Sequence, residues 1–135
     1  MLTRCAVATL ALLASLAGAA ADDAPAAGDA ALGEKVFTKC KACHQIGEGA
    51  KNAVGPELNG LIGRKAASVD TYSYSEAMKN SGLTWDEATF KEYIRDPKAK
   101  VPGTKMSFAG LQKQSDIDNV TAYLKSFAPD SKKVP

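Results

Sequence analysis

The sequence predicts an all-α domain of three main helices, short helices and long loops. Apolar residues recur at helical spacing, glycine and proline cluster between the periodic segments, and no alternating stretch or internal repeat interrupts them. A chain of 135 residues has room for one small domain and a leader. With 45% hydrophobic and 24% charged residues, it is neither a disordered chain nor a multi-span membrane protein. Lys and Arg number 17 against 15 Asp and Glu, a formal charge of +2, far from the basic stripe of a nucleic-acid binder. The single histidine excludes chemistry that needs a histidine pair within one chain.

Residues 1–21 carry Arg4 near the start, the apolar run Cys5 to Ala17, and small residues ending in Ala19-Ala20-Ala21. This is the pattern of a cleavable signal peptide, and it directs the chain to the periplasm. The alternative, an uncleaved membrane anchor, is disfavoured because the run is too short to span a bilayer comfortably and no basic cluster follows it. Residues 22–30 (DDAPAAGDA) read as a flexible lead-in, 31–128 as the domain and 129–135 as a C-terminal tail.

Within the domain, Leu32, Val36, Phe37 and Cys40 predict a first amphipathic helix ending near His44. From Gly47 to Gly63, five glycines and Pro56 predict a loop, with one turn of helix at Leu58 to Ile62. Ser73 with Glu76, and Thr84 with Glu87, are capping-box patterns that start two helices. The second carries Phe90, Tyr93 and Ile94 and must stop before Pro97. Ser115 opens the last helix, with Ile117, Val120, Tyr123, Leu124 and Phe127 on its apolar side. Helices this few and loops this long leave a small core, so the loops are expected to wrap a large apolar cofactor.

Cys40-Lys41-Ala42-Cys43-His44 is C-x-x-C-H, the attachment pattern of a c-type haem. Both sulfurs can form thioethers to the porphyrin edge while the adjacent imidazole turns to the iron. Three other readings fit less well. A thioredoxin-like pair wants a βαβ setting, a zinc site lacks a fourth Cys or His ligand, and a disulfide leaves His44 unexplained.

The sixth iron position decides function. After processing, Met78 and Met106 remain as soft thioether donors. Met106 is favoured because Val101-Pro102-Gly103-Thr104-Lys105 forms an extended loop that can lay a side chain across a flat cofactor. Met78 falls in the short helix after Ser73, where methionine more often fills a core. His and Met ligation leaves no place for oxygen or peroxide and favours the reduced iron, which suits one-electron transfer.

The sequence resembles a class I c-type cytochrome, of the cytochrome c and bacterial cytochrome c2 family, from about Leu32 to Phe127. Besides Cys40, Cys43, His44 and Met106, the matched residues include Gly33 with Phe37, Gly55-Pro56, Gly60-Leu61-Ile62-Gly63-Arg64, Trp85, Tyr93, Pro102-Gly103-Thr104-Lys105 and Tyr123-Leu124. The resemblance implies the cytochrome c fold around one covalently bound haem c, with His44 and Met106 as the metal ligands. It implies that Pro56 offers its carbonyl to His44, that Arg64, Tyr74 and Trp85 face a haem propionate, and that Tyr93 and Thr104 lie near Met106. Gly33 and Phe37 would meet the last helix. Met78 is a departure, since mitochondrial relatives commonly carry Asn there as part of a polar, water-holding network; an apolar thioether removes that partner. Met78 is expected to pack against the haem without ligating iron.

Lys39, Lys41, Lys51, Lys98, Lys100, Lys105 and Lys113 flank the haem-bearing segments, and several match a basic ring in relatives that steers acidic partners. The reading is therefore a monomeric periplasmic electron carrier, not an enzyme. It would shuttle electrons from a quinol-oxidising cytochrome complex to a terminal oxidase or a photosynthetic reaction centre through transient, salt-sensitive contacts. Two other functions are weaker: a peroxide-reducing enzyme lacks an obvious distal acid or base, and a fixed electron-entry subunit of a larger dehydrogenase would require a tight partner.

Overall fold

A computed structural model of the protein describes residues 27–127. The signal peptide read at 1–21, the start of the lead-in and the tail at 129–135 lie outside the described residues. The helices are α1 (Ala30–Phe37), α2 (Glu76–Lys79), α3 (Glu87–Arg95), α4 (Pro97–Lys100) and α5 (Gln114–Lys125). Three longer helices and two single turns match the predicted all-α class. Among the described residues, extended pairing is limited to one isolated bridge, Lys65 with Thr84.

The frame is the crossing of α1 and α5. The Asp29 carboxylate accepts from the Leu32 amide at 3.0 Å, capping α1. The Asp29 amide donates to Asn119 Oδ1 at 2.8 Å, so the end of the lead-in is tied to α5. At Gly33 a Cβ would stand 2.0 Å from the Asn119 carbonyl oxygen, so only glycine permits this approach. Phe37 is buried there and tilts against Tyr123 at 5.3 Å between ring centroids; Tyr123 in turn meets Phe127 edge-on at 5.0 Å. Leu32, expected on the apolar face, is 46% exposed, because α1 buries the face carrying Gly33 and Phe37 instead.

Several predicted boundaries move, most by a residue or two and the end of α1 by a full two turns. α1 ends at Phe37 rather than near His44; the chain then turns, with the Cys40 amide donating to the Phe37 carbonyl at 2.8 Å. Ser75, not Ser73, caps α2 by accepting from the Met78 amide at 3.1 Å. Asp86, not Thr84, caps α3, accepting from the Thr89 amide at 2.8 Å, while Thr84 is held in the bridge to Lys65. Ser115 lies inside the first turn of α5, which begins after Lys113 without a side-chain cap. Leu58 to Ile62 forms a turn rather than a helix, closed by the Leu61 amide on the Leu58 carbonyl at 3.2 Å.

The Pro97 prediction holds, since α3 stops at Arg95. Pro97 then occupies the first turn of α4, where its missing N–H costs nothing, and Asp96 caps that turn by accepting from the Ala99 amide at 3.1 Å. Phe90, Tyr93 and Ile94 of α3 and Ile117, Val120 and Leu124 of α5 are all buried. Each contributes roughly 1.5–3 kcal/mol by leaving water. Together with loop residues Leu58 and Leu61 and with Met78 of α2, all of these except Ile117 line a cavity.

Candidate functional site

The residues assigned to the cofactor from sequence are spread along the chain, and the fold gathers all of them. Cys40, Cys43, His44, Pro56, Arg64, Tyr74, Trp85, Tyr93, Thr104 and Met106 line one cavity of about 490 Å³. The turns after α1 supply the two thiols and the imidazole. Loop 55–64 supplies Pro56 and Arg64, the approaches to α2 and α3 supply Tyr74 and Trp85, and the loop after α4 supplies Thr104 and Met106.

His44 is fixed twice. Its Nδ1 lies 2.8 Å from the Pro56 carbonyl oxygen. A carbonyl only accepts, so the proton sits on Nδ1 and Nε2 keeps its lone pair. Burial lowers the His44 pKa, with the Pro56 bond opposing, so the ring is held neutral. A Cβ at residue 55 would fall 2.3 Å from His44 Cε1, so glycine is required for the loop to lie against the ring.

The thiols are free and half-buried. Burial pushes Cys40 up to about 11, with neighbouring Lys39 opposing the shift and Cys43 adding to it. A protonated, buried thiol is the reverse of the lowered thiol that disulfide exchange needs. No group of three or more Cys, His, Asp or Glu residues suited to hold a metal ion occurs among the described residues. Neither the thioredoxin-like nor the zinc reading finds support.

Around Met106, the Tyr93 hydroxyl donates to Sδ at 3.6 Å and Thr104 Oγ1 accepts from the Met106 amide at 3.3 Å. Burial raises the Tyr93 pKa, against a hydrogen bond with Thr104, so the phenol stays protonated and able to donate. Lys105 Nζ bonds the Ser73 carbonyl and sits 4.4 Å above the Tyr72 ring centroid. The Tyr72 hydroxyl donates to the Val54 carbonyl at 2.6 Å, tying three loops together at the cavity mouth. Met78 is buried on the cavity wall.

Arg64 bears most directly on what the cavity holds. Its Nη1 donates to Glu57 Oε1 at 3.2 Å and to the Asn59 carbonyl at 2.9 Å, and its Nη2 to the Glu57 carbonyl at 3.1 Å. Its Nε is buried with no partner. A buried, unpartnered guanidinium N–H on a cavity wall calls for an acceptor supplied from the cavity. Apolar walls, two thiols, a neutral imidazole, a thioether and one waiting cationic donor are the donor set that suits haem c, with its flat apolar macrocycle and its carboxylates.

The sequence is matched over residues 30–128 by the family model described as cytochrome c. The chain belongs to the cytochrome c family. It is 62% identical over 128 residues to cytochrome c-554 of Methylosinus trichosporium, covering 94% of this chain and 97% of that one. It is equally 62% identical over 107 residues to cytochrome c2 of Rhodoblastus acidophilus, covering 79% of this chain and all of that one, 100%. Among solved structures, cytochrome cH from Methylobacterium extorquens superimposes with a TM-score of 0.70 at 53% identity, covering 73% of this chain and 99% of that one. The cytochrome c family binds one covalent haem c, and Cys40 and Cys43 stand in its C-x-x-C-H spacing. This cytochrome is an electron carrier, not an enzyme.

Of the lysines read as partner-binding, Lys39 and Lys105 reach the cavity mouth, while Lys41, Lys51, Lys98, Lys100 and Lys113 lie away from its lining. Lys39 pairs with Asp116 at 3.6 Å and Lys100 pairs with Glu92, which locally offsets both charges. Sequence reasoning missed Ser75, Phe90 and Phe108 on the cavity wall and Glu57 behind Arg64. Glu57 and Arg64 are seven residues apart in a loop, where no periodicity signals a contact.

Proposed function

We propose that this cytochrome is a monomeric periplasmic carrier with His44 and Met106 as axial iron ligands. Bound haem c supplies a reversible one-electron couple. The His44 imidazole, oriented by Pro56 and backed by Gly55, would hold the iron through Nε2. The Met106 thioether, held by Tyr93 and Thr104, would be the second protein ligand, and the pair would leave no site for small ligands such as oxygen and peroxide. Arg64, Tyr74 and Trp85 receive the propionates, and the unpartnered Arg64 Nε is the observation that carries this placement. Met78 fills the wall without ligating.

The leader at 1–21 exports the chain to the periplasm. There it takes electrons from a quinol-oxidising cytochrome complex and delivers them to a terminal oxidase or a photosynthetic reaction centre, in respiration or photosynthesis. Contacts through Lys39, Lys41, Lys51, Lys98, Lys100, Lys105 and Lys113 are brief and weaken as salt rises. Lys41, Lys51, Lys98 and Lys113 have no ion pair among the described residues and so keep their charge for a partner.

The test is the optical spectrum of the purified, matured protein in both oxidation states, with carbon monoxide added to the reduced form. A six-coordinate spectrum that carbon monoxide leaves unchanged agrees with the proposal. Colourless protein, or ready carbon monoxide binding at rest, overturns it.

A further inference from the structure

Glu57 is a carboxylate placed directly behind Arg64, whose buried Nε has no partner on the cavity wall. Its Oε1 accepts from Arg64 Nη1 at 3.2 Å, its own carbonyl accepts from Nη2 at 3.1 Å, and its Oε2 accepts from the Asn59 amide at 2.7 Å. The Glu57 amide is in turn fixed on Asn52 Oδ1 at 3.0 Å. Both ends of the residue are thus immobilised. The guanidinium is clamped by its two terminal nitrogens, which leaves Nε as the atom free to serve the cavity.

This arrangement does two things. It orients Arg64, and it sets a negative charge against the positive one at the cavity wall. Tyr74, on the same wall, reports both. Burial is the main cause of its raised pKa, but the Arg64 charge lowers it and the Glu57 charge raises it. Charges that reach the Tyr74 hydroxyl also act on charge held inside the cavity, and adding an electron there adds negative charge. The pair side chains are only 18% and 23% exposed, so water screens them incompletely.

We infer that Glu57 is a potential-tuning and positioning residue: its carboxylate offsets Arg64 and holds the reduction potential of the bound haem below the value Arg64 alone would set. This rests on the placement of Arg64 toward the propionates proposed above.

The experiment is a spectroscopic redox titration of the holoprotein and its variants. Glu57→Gln keeps the shape and an acceptor for Arg64 but removes the charge. It shifts the one-electron equilibrium toward the reduced form between about two- and tenfold, or about 18 to 59 mV at 59 mV per tenfold. Glu57→Asp keeps the charge and moves the potential by less than half as much. Arg64→Gln moves it the opposite way, to lower potential. An unchanged or lowered potential in Glu57→Gln beside a lowered one in Arg64→Gln overturns the role of Glu57 alone. An unchanged potential in Arg64→Gln overturns the placement of Arg64 itself. If Glu57→Gln does not mature, Glu57→Ser is titrated instead, with the same expected direction and the same contradicting results.

Discussion

The crossing of α1 and α5 and the loops that wall the cavity are held together by different means. The crossing is helix on helix, with Gly33 against the Asn119 carbonyl, a run of three aromatic rings in tilted and edge-on contact, and buried Ile117, Val120 and Leu124. It buries apolar surface by direct contact, although Phe37, Val120 and Leu124 also line the cavity. The loops from His44 to Ser75 and from Val101 to Lys113 contain only turns and bends, apart from the bridge that ties Lys65 to Thr84. They are held by single hydrogen bonds, such as Tyr72 to Val54 and Asn52 to Thr71, around a cavity of about 490 Å³. A wall of this kind lacks a core until a cofactor fills it. The chain thus joins a directly packed helical clasp to a set of loops that close around haem.

The largest effect should come from removing what the loops close on. The double variant Cys40→Ala, Cys43→Ala loses covalent haem, and its cooperative thermal transition should disappear by circular dichroism while weak helical signal persists. A native-like transition without haem would erase the distinction between the two regions. Next comes the clasp. Gly33→Leu drives a side chain into the Asn119 carbonyl, at a cost of about 3 kcal/mol, and should lower the melting temperature of the holoprotein by roughly 15 °C. A loss under a few degrees would show that the crossing is not tight.

A smaller change tests a single tether of the loops. Tyr93→Phe deletes the donor to Met106 Sδ and should cost about 1 kcal/mol in chemical denaturation. The same variant should weaken the hold on Met106, seen as easier displacement of the thioether by added imidazole. The smallest effect belongs to the tie between α3 and α5. The Asp118 carboxyl lies below its ordinary value, chiefly through the hydrogen bond donated by Lys91, with Gln114 assisting. A folded value below the unfolded one gives stability that is present above about pH 4 and lost as pH falls through the folded value. Asp118→Asn should therefore flatten the loss of stability below pH 4 and leave the loops' response unchanged.

Much of this was legible before the structure. Helical spacing placed Phe90, Tyr93, Ile94, Ile117, Val120 and Leu124 in the core because periodicity records which face leaves water, and C-x-x-C-H named its chemistry outright. The ten cofactor residues come together in one cavity, although six of them, Pro56, Arg64, Tyr74, Trp85, Tyr93 and Thr104, are identified through family resemblance rather than from their own pattern. Helix starts were less legible: Ser73, Thr84 and Ser115 each lie near a true start, but a cap is chosen by backbone geometry, and Ser75 and Asp86 had it. Leu32 fooled the periodicity because a glycine, which carries no hydrophobic signal, marks the buried face. Glu57 was invisible because loop contacts follow the path of the chain, which has no repeat to read.

The central claim is that the cavity is closed on iron by His44 and Met106, with Met78 as packing. The direct measurement is the oxidised optical spectrum of Met106→Ala beside that of Met78→Leu. The absorption band of the thioether–iron bond should vanish in the first variant and persist in the second. Its survival in Met106→Ala, or its loss in Met78→Leu, would contradict the account.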